Sequence, residues 1–445
     1  MKKLLLFGIF LLTFKALSSQ VPKGGRILSW HVGMSENGNY DSAMGYARRA
    51  CMESVPLFVS WRSIEDSAGL FNRAFLDATL RVANFYYSFF GIPVELQLAP
   101  INTVRREIPA DLEALPFDDP EMIRRFKILL DTLFDRIPDL TLTTLSIGNE
   151  IDGYLGTDMQ AYLEYGTFLD SVIPHARKRY AALHGDEVLT GTTFMFSGLL
   201  NPATKNLCKL INSGRDFIAV TYYPLNPDFT MKAPSVVFSD FERLTAEYPD
   251  TARPIHLVEC GYASSPVCNS SEALQAEFYK NIFAAWDRHA AQIRLISFFK
   301  LTDWSQAVVE ELAGYYGLPN HQAFKEYLRS LGVRSYPGDG ENKAAYETIL
   351  CELAARNWCS VTCKTTGMEN LQEPEGRFYP NPVNGTLHLS GRAPVAAWNL
   401  YDTEGRLRLS GKGRDIDLSA FSPGLYLLDI EYANGERMRG KIIKP

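Results

Sequence analysis

In "LSIGNEIDGYLG", Leu145 to Gly156, an amide and a carboxylate stand together as Asn149-Glu150 where a short apolar run stops. A second carboxylate, Glu259, closes a similar run in "IHLVECGYA". A buried parallel strand is apolar along its length, so polar groups at its C-terminal end are placed for chemistry rather than packing. Two carboxylates facing one cleft are what glycosidic bond hydrolysis requires. One stays protonated and hands its proton to the leaving oxygen, while the other stays ionised and attacks the anomeric carbon. Asn149 is then free to hydrogen-bond a sugar hydroxyl as charge develops on the ring. Each acid also has a plainer reading: Glu150 as a carboxylate at a helix N-terminus, Glu259 as one half of a buried ion pair with Arg62.

The elements that must hold these groups are legible around them. From about Gly25 to Phe299 short apolar runs alternate with longer amphipathic stretches. The runs are "RILSWHV", "VPLFVSW", "IPVELQLAP", "LTTLSIGNE", "VLTGTTFMF", "FIAVTYYPL", "IHLVECGYA" and "IRLISFFKL". Strand candidates separated by helical patterns predict an α/β fold, a (β/α)8 TIM barrel. "DPEMIRRFKILLDTLFDRI" shows the helical period, with Ile123, Phe126, Leu129, Leu130 and Leu133 on one face. Glu150 and Glu259 are 109 residues apart (259 minus 150). A barrel spends about 31 residues on each strand-helix unit, so the gap spans three to four units and places the acids on strands four and seven.

The Asn-Glu pair after strand four and the single Glu at the end of strand seven resemble the clan A glycoside hydrolases, retaining enzymes on (β/α)8 barrels, over roughly residues 25 to 350. The resemblance implies Glu150 as general acid/base, Glu259 as nucleophile and Asn149 as the binder of the sugar 2-hydroxyl. It further implies that Arg62 in "VSWRS" and Tyr222 in "VTYYP" hydrogen-bond the nucleophile and keep its pKa low. Trp304 in "KLTDWS" resembles the aromatic platform under the reacting sugar. Trp30 and His31 are candidates to line the cleft from strand one, with core packing or rim placement as the plainer reading.

Beyond strand eight, "NHQAFKEYLRSL" and "NKAAYETILCELAARNW" read as helices that close the barrel, giving one domain over 20–363. "KTTGMENLQEPEGR", residues 364–377, lacks periodicity and reads as a linker. From Phe378 the pattern becomes short alternating runs with "TEGR" and "ANGE" as hairpin turns, a small antiparallel β-sandwich over 378–445. "FYPNPVNGTLHLSG", "LYDTEGRL", "DLSAFSPGLYLLDI" and the terminal "GKIIKP" resemble the type A sorting domain of the type IX secretion system of Bacteroidota. That implies the secretion machinery as a partner and a secreted or outer-membrane surface location after periplasmic transit. The alternative for this segment is a carbohydrate-binding sandwich, although Trp398 is its only tryptophan.

Residues 1–19, with Lys2 and Lys3 ahead of an apolar Leu4–Leu12 core, have the order of a cleavable secretory signal, and that core is too short for a bilayer, which takes about 20 residues. No other run is apolar enough to span. The 445 residues are 46% hydrophobic with a net charge of −6 and well-mixed signs, which argues against disorder and against nucleic acid as a partner. The seven cysteines offer Cys260/Cys268 and Cys351/Cys359 or Cys359/Cys363 as close pairs, and their odd number leaves at least one thiol free or paired between chains. Metal-ligand spacing, a P-loop and "GxSxG" are missing, so no metal and no cofactor are expected. The expectation is a secreted or surface retaining β-glycoside hydrolase acting on a β-linked polysaccharide or oligosaccharide. Its rivals are a non-catalytic glycan-binding protein on the same barrel and an adhesin whose barrel is only a scaffold.

Overall fold

The computed structural model describes residues 21–33, 38–67, 69–338, 340–363, 376–391, 393–435 and 437–445. The expected signal at 1–19 and most of the linker at 364–377 lie outside these residues. The last two linker positions, 376 and 377, already belong to a strand, Gly376–Tyr379.

The barrel strands are Ile27–Trp30, Val55–Ser60, Val94–Asn102, Leu142–Asn149, an interrupted fifth (Leu189–Gly191 and Thr193–Met195), Ile218–Tyr222, Ile255–Cys260 and Ile293–Phe298. We number them one to eight. Strands two to five pair in parallel through Leu189–Gly191, and strands five, six, seven, eight and one pair in parallel from Thr193–Met195. Strand five therefore joins the two sheets, and a parallel bridge between Ser29 and Ser54 closes the ring between strands one and two. Each of the eight apolar runs supplies one strand of a (β/α)8 barrel.

The outer helices form where the amphipathic stretches predict them. Helix Pro120–Phe134 starts at Asp119, whose carboxylate accepts from the Glu121 amide, and carries proline in its first turn, where the missing N–H costs nothing. Phe126, Leu129, Leu130 and Leu133 are buried, each contributing about 1.5–3 kcal/mol, whereas Ile123 at the edge of that face is half-buried. Arg125 reaches the core paired with Glu65 and Asp111, so its charge is compensated.

The two segments after strand eight part company. Helix Ala344–Ala355 packs on helix Glu272–Arg288 in the outer layer and completes it, as expected. Helices Gln306–Tyr315 and Gln322–Arg329 instead lie over the mouth of the barrel, with Leu312, Phe324 and Tyr327 turned into its cavity. The reading of "NHQAFKEYLRSL" as a barrel-closing helix is thereby corrected: it is part of a cap.

The C-terminal segment is a sandwich of a three-stranded and a four-stranded antiparallel sheet, with hairpin turns at "TEGR" and at 433–435. Alternate residues, among them Leu387, Leu389, Leu400, Leu428, Ile430 and Ile442, fill the space between the sheets.

The cysteine pairings suggested by sequence proximity are overturned. The disulfides are Cys51–Cys359 and Cys351–Cys363, with Cα separations of 5.8 and 4.4 Å. Cys208, Cys260 and Cys268 are free and buried. Cys51 follows the first outer helix and meets Cys359 because the chain, after circling the barrel, returns beside its start. That closeness has no trace in local spacing.

Candidate active site

The C-terminal strand ends surround a cavity of about 660 Å³ that both Glu150 and Glu259 line. Glu150 follows strand four immediately and has φ 46° and ψ 46°, a left-handed conformation that a non-glycine residue rarely adopts. Thr103, just after strand three, shares that unusual conformation with φ 49°. The two touch: Thr103 Oγ1 donates to Glu150 Oε2 at 2.6 Å, and Thr221 Oγ1 at the end of strand six donates to Oε1 at 2.6 Å. Both carboxylate oxygens are therefore held by hydroxyls from neighbouring strand ends, which fixes the rotamer.

Glu259 receives one hydrogen bond, from Tyr223 Oη to Oε2 at 2.6 Å. Burial pushes its carboxyl up to about 8, the charge of Glu150 adds to the rise, and the tyrosine hydrogen bond opposes it. The expectation of a low pKa at this position is corrected: one hydrogen bond does not outweigh the loss of water and the facing carboxylate. Glu259 is thus held protonated up to about pH 8.

Asn149 lines the same cavity, and its Nδ2 donates to Asn102 Oδ1 at 3.0 Å. Its Oδ1 is buried without a partner, a cost of about 1–3 kcal/mol that a ligand hydroxyl would relieve. Asn102 is held in turn by Tyr315, whose hydroxyl donates to Glu107 at 2.9 Å.

His31 and Trp304 also line the cavity. Burial drives the His31 imidazole down to about 4, so it is neutral; its Nε2 lies 2.9 Å from Val258 O and must carry the proton, leaving Nδ1 as an acceptor. Trp304 stands edge-on to Phe299 at 5.3 Å, with Lys300 Nζ 4.2 Å from its ring centre. Removal from water brings the Lys300 amine down to about 7, opposed by Asp303.

Three expected site residues are elsewhere. Trp30 is fully buried behind strand one, donating its indole N–H to Ala50 O at 3.2 Å and packing on Phe298. Tyr222 points out of the barrel and donates to Asp240 at 2.9 Å. Arg62 sits in the short helix Trp61–Ile64 with its side chain 43% exposed, pairs with Glu107 and Glu113, and makes no ion pair with Glu259. For Trp30 and Tyr222 the cause is pleating: neighbouring residues of a strand face opposite sides. Trp30 and Tyr222 occupy outward positions, while His31, Thr221 and Tyr223 occupy the inward ones. The residue that steadies Glu259 is Tyr223, one place along from the expected tyrosine and on the same inward face as Thr221. Thr103 and Thr221 carry no sequence signal of their own.

Among the described residues no cluster of His, Cys, Asp and Glu is arranged to hold a metal ion, and no helix is long and apolar enough to cross a membrane.

Comparison with solved structures establishes the class of fold. A GH5_18 protein from Streptomyces cattleya in complex with GlcNAc superposes with a TM-score of 0.55 at 16% identity, over 76% of this chain and 82% of that one. A GH5_18 variant from Bifidobacterium longum subsp. longum in complex with Manb1-4GlcNAc gives 0.54 at 14% identity, over 76% and 80%. An exo-beta-1,4-mannosidase from Opitutaceae bacterium strain TAV5 gives 0.54 at 15% identity, over 74% and 58%. At such identities the likeness is one of fold, and the fold is the (β/α)8 barrel. No curated protein matches the chain. The particular assignment comes from the other end: residues 377–444 match the family described as secretion system C-terminal sorting domain. That segment marks the chain for type IX export to the cell surface or the medium.

Proposed function

We propose that the protein is an exported retaining β-glycoside hydrolase, with Glu259 as nucleophile and Glu150 as general acid/base. The observation that carries this reading is the carboxylate pair itself. Acids from strands four and seven line one cavity, each is held by hydroxyl groups at or beside strand ends, and Glu259 keeps a proton up to about pH 8. Double displacement needs two such groups: one acid to protonate the leaving oxygen and one carboxylate to form the glycosyl-enzyme.

Before a sugar binds, the proton rests on Glu259. A sugar that enters presents its glycosidic oxygen to Glu150 and its anomeric carbon to Glu259, so the productive arrangement has the proton on Glu150 and the charge on Glu259. Tyr223 stabilises that charge, and Glu150 then activates the water that releases the sugar. Asn149 offers its free Oδ1 to a sugar hydroxyl. Trp304 gives the ring a face to lie against. The retaining stereochemistry and the division of roles follow from the clan A resemblance.

The test is turnover of a panel of aryl β-glycosides and β-linked oligosaccharides by the mature protein, with Glu150→Gln and Glu259→Gln alongside. β-Mannosides belong in the panel because the structures sharing the fold include an exo-beta-1,4-mannosidase and a complex with Manb1-4GlcNAc. Turnover abolished in both variants supports the reading; binding without turnover in the native protein replaces it with the glycan-binding alternative.

A further inference from the structure

The cap is anchored to the barrel on two sides. Its first helix, Gln306–Tyr315, is tied to the end of strand three: the Tyr315 hydroxyl donates to Glu107 at 2.9 Å and accepts from Asn102 Nδ2 at 3.0 Å, and the Arg105 guanidinium lies 3.7 Å from the centre of its ring. The second helix, Gln322–Arg329, is tied to the loops after strands six and seven. Phe324 and Tyr327 pack on Phe229, with ring centres 4.8 and 6.2 Å away, and the Ser265 hydroxyl donates to Glu326 at 2.9 Å. The cap therefore bridges the mouth, and from it Tyr316 and Tyr327 reach the cavity that Glu150 and Glu259 line.

Three tyrosines thus share the cavity, and their hydroxyls are not alike. Tyr223 is committed to Glu259. Tyr316 lies beside Thr103, the residue that holds Glu150. Tyr327, edge-on to Tyr223 at 5.9 Å, is only 7% exposed, yet among the described residues its hydroxyl has no hydrogen-bond partner. It is close enough to both acids to feel their charges. Burial and those charges push it well above the usual tyrosine range, so it stays a phenol with a proton to give. Phe229 and Phe324 make the same packing contact with plain rings, so packing does not call for an oxygen at 327. A ligand hydroxyl does.

We infer that Tyr327 is a sugar-binding residue contributed by the cap, its hydroxyl hydrogen-bonding a hydroxyl of the sugar held between Glu150 and Glu259. The inference rests on the proposed hydrolase reading and adds to it a specificity contact that the barrel strands do not supply. Asn149 Oδ1 can only accept, whereas the phenol can donate, so the two complement each other on one sugar. A substrate must then place one hydroxyl, remote from the bond that breaks, against the cap.

The experiment compares kcat/KM of the full-length native and Tyr327→Phe proteins on a nitrophenyl β-glycoside that the native protein hydrolyses and on its 3-, 4- and 6-deoxy analogues. On the parent glycoside Tyr327→Phe is expected to lose about two- to tenfold, the worth of one hydrogen bond. One analogue should lose as much in the native protein and nothing further in the variant, because a contact can be removed only once. In urea the free variant should be as stable as the native protein, since its hydroxyl has no partner to lose; a structural role would lower that stability. Unchanged kcat/KM in the variant, losses that multiply for every analogue, or a less stable variant overturns the inference. Failure of the hydrolase reading is distinguishable: a native protein inert toward every β-glycoside removes that reading. The same sugars are then compared by calorimetric binding to the two proteins, where a loss shared between variant and analogue keeps the contact and losses that multiply remove it.

Discussion

Replacing Glu259 by Gln should make the protein more stable at alkaline pH, although it removes a charged group that hydrogen-bonds Tyr223. An ordinary glutamate titrates near 4.5, and burial, with Glu150 facing it, holds Glu259 near 8. Between those values the folded protein keeps a proton that the unfolded chain has released, so unfolding free energy falls as pH rises through that window. The gap is about 3.5 pH units, and at about 1.4 kcal/mol per unit the penalty on the native protein at pH 8.5 is at most about 5 kcal/mol. Water entering through the cavity mouth lowers this, and a gain of about 2–4 kcal/mol for the variant is expected. Below pH 5 the native carboxyl is neutral, and the variant should be equal or worse by about 1 kcal/mol, because its amide has donors to satisfy. The assay is urea denaturation of both proteins from pH 5 to pH 9, which avoids comparing different melting temperatures. A stability difference that does not change with pH would refute the claim that burial keeps this carboxyl neutral in the folded protein up to about pH 8.

The remaining predictions follow from the same contacts. Glu150→Gln should lower kcat by about 10²–10⁴, the usual worth of a positioned acid, with the loss smallest for aglycones that leave without protonation. In the native protein kcat/KM should decline above about pH 8 as the proton held at Glu259 is lost. Tyr223→Phe deletes the bond that favours the charged form of Glu259, so it should cut kcat/KM about 10–100-fold and move that alkaline limb upward, whereas Tyr222→Phe should lower stability and leave the limb in place. Thiol titration of the denatured mature chain should find three reactive groups without reductant, Cys208, Cys260 and Cys268, and the disulfide cysteines in addition once reduced. Cys51→Ala, which opens a link across 308 residues of chain, should cost about 2–5 kcal/mol.

What the sequence disclosed and what it hid divide along physical lines. The strands were visible because apolar runs of strand length recur at the spacing of a barrel, and Glu150 and Glu259 were visible because carboxylates interrupt those runs at their ends. Which neighbour faces inward is a matter of one residue, and hydrophobicity does not decide it where both neighbours are aromatic. Tyr222 and Tyr223 differ only in parity, as do Trp30 and His31. Arg62 was misplaced for a related reason: the chain turns into the helix Trp61–Ile64 at the end of strand two and carries the guanidinium out to Glu107 and Glu113. The disulfides and the cap depend on contacts between distant segments, and their local sequences read as ordinary helix and loop. The raised pKa of Glu259 was also illegible, since it comes from burial that only the assembled cavity creates.

The most direct test of the carboxylate pair is covalent trapping. The native protein is incubated with an activated 2-deoxy-2-fluoro β-glycoside of the sugar it prefers, and the digested protein is analysed by mass spectrometry. The account predicts time-dependent inactivation with one sugar attached to the peptide that contains Glu259. A label on Glu150, or continued hydrolysis with inversion at the anomeric carbon and no labelled peptide, would contradict it.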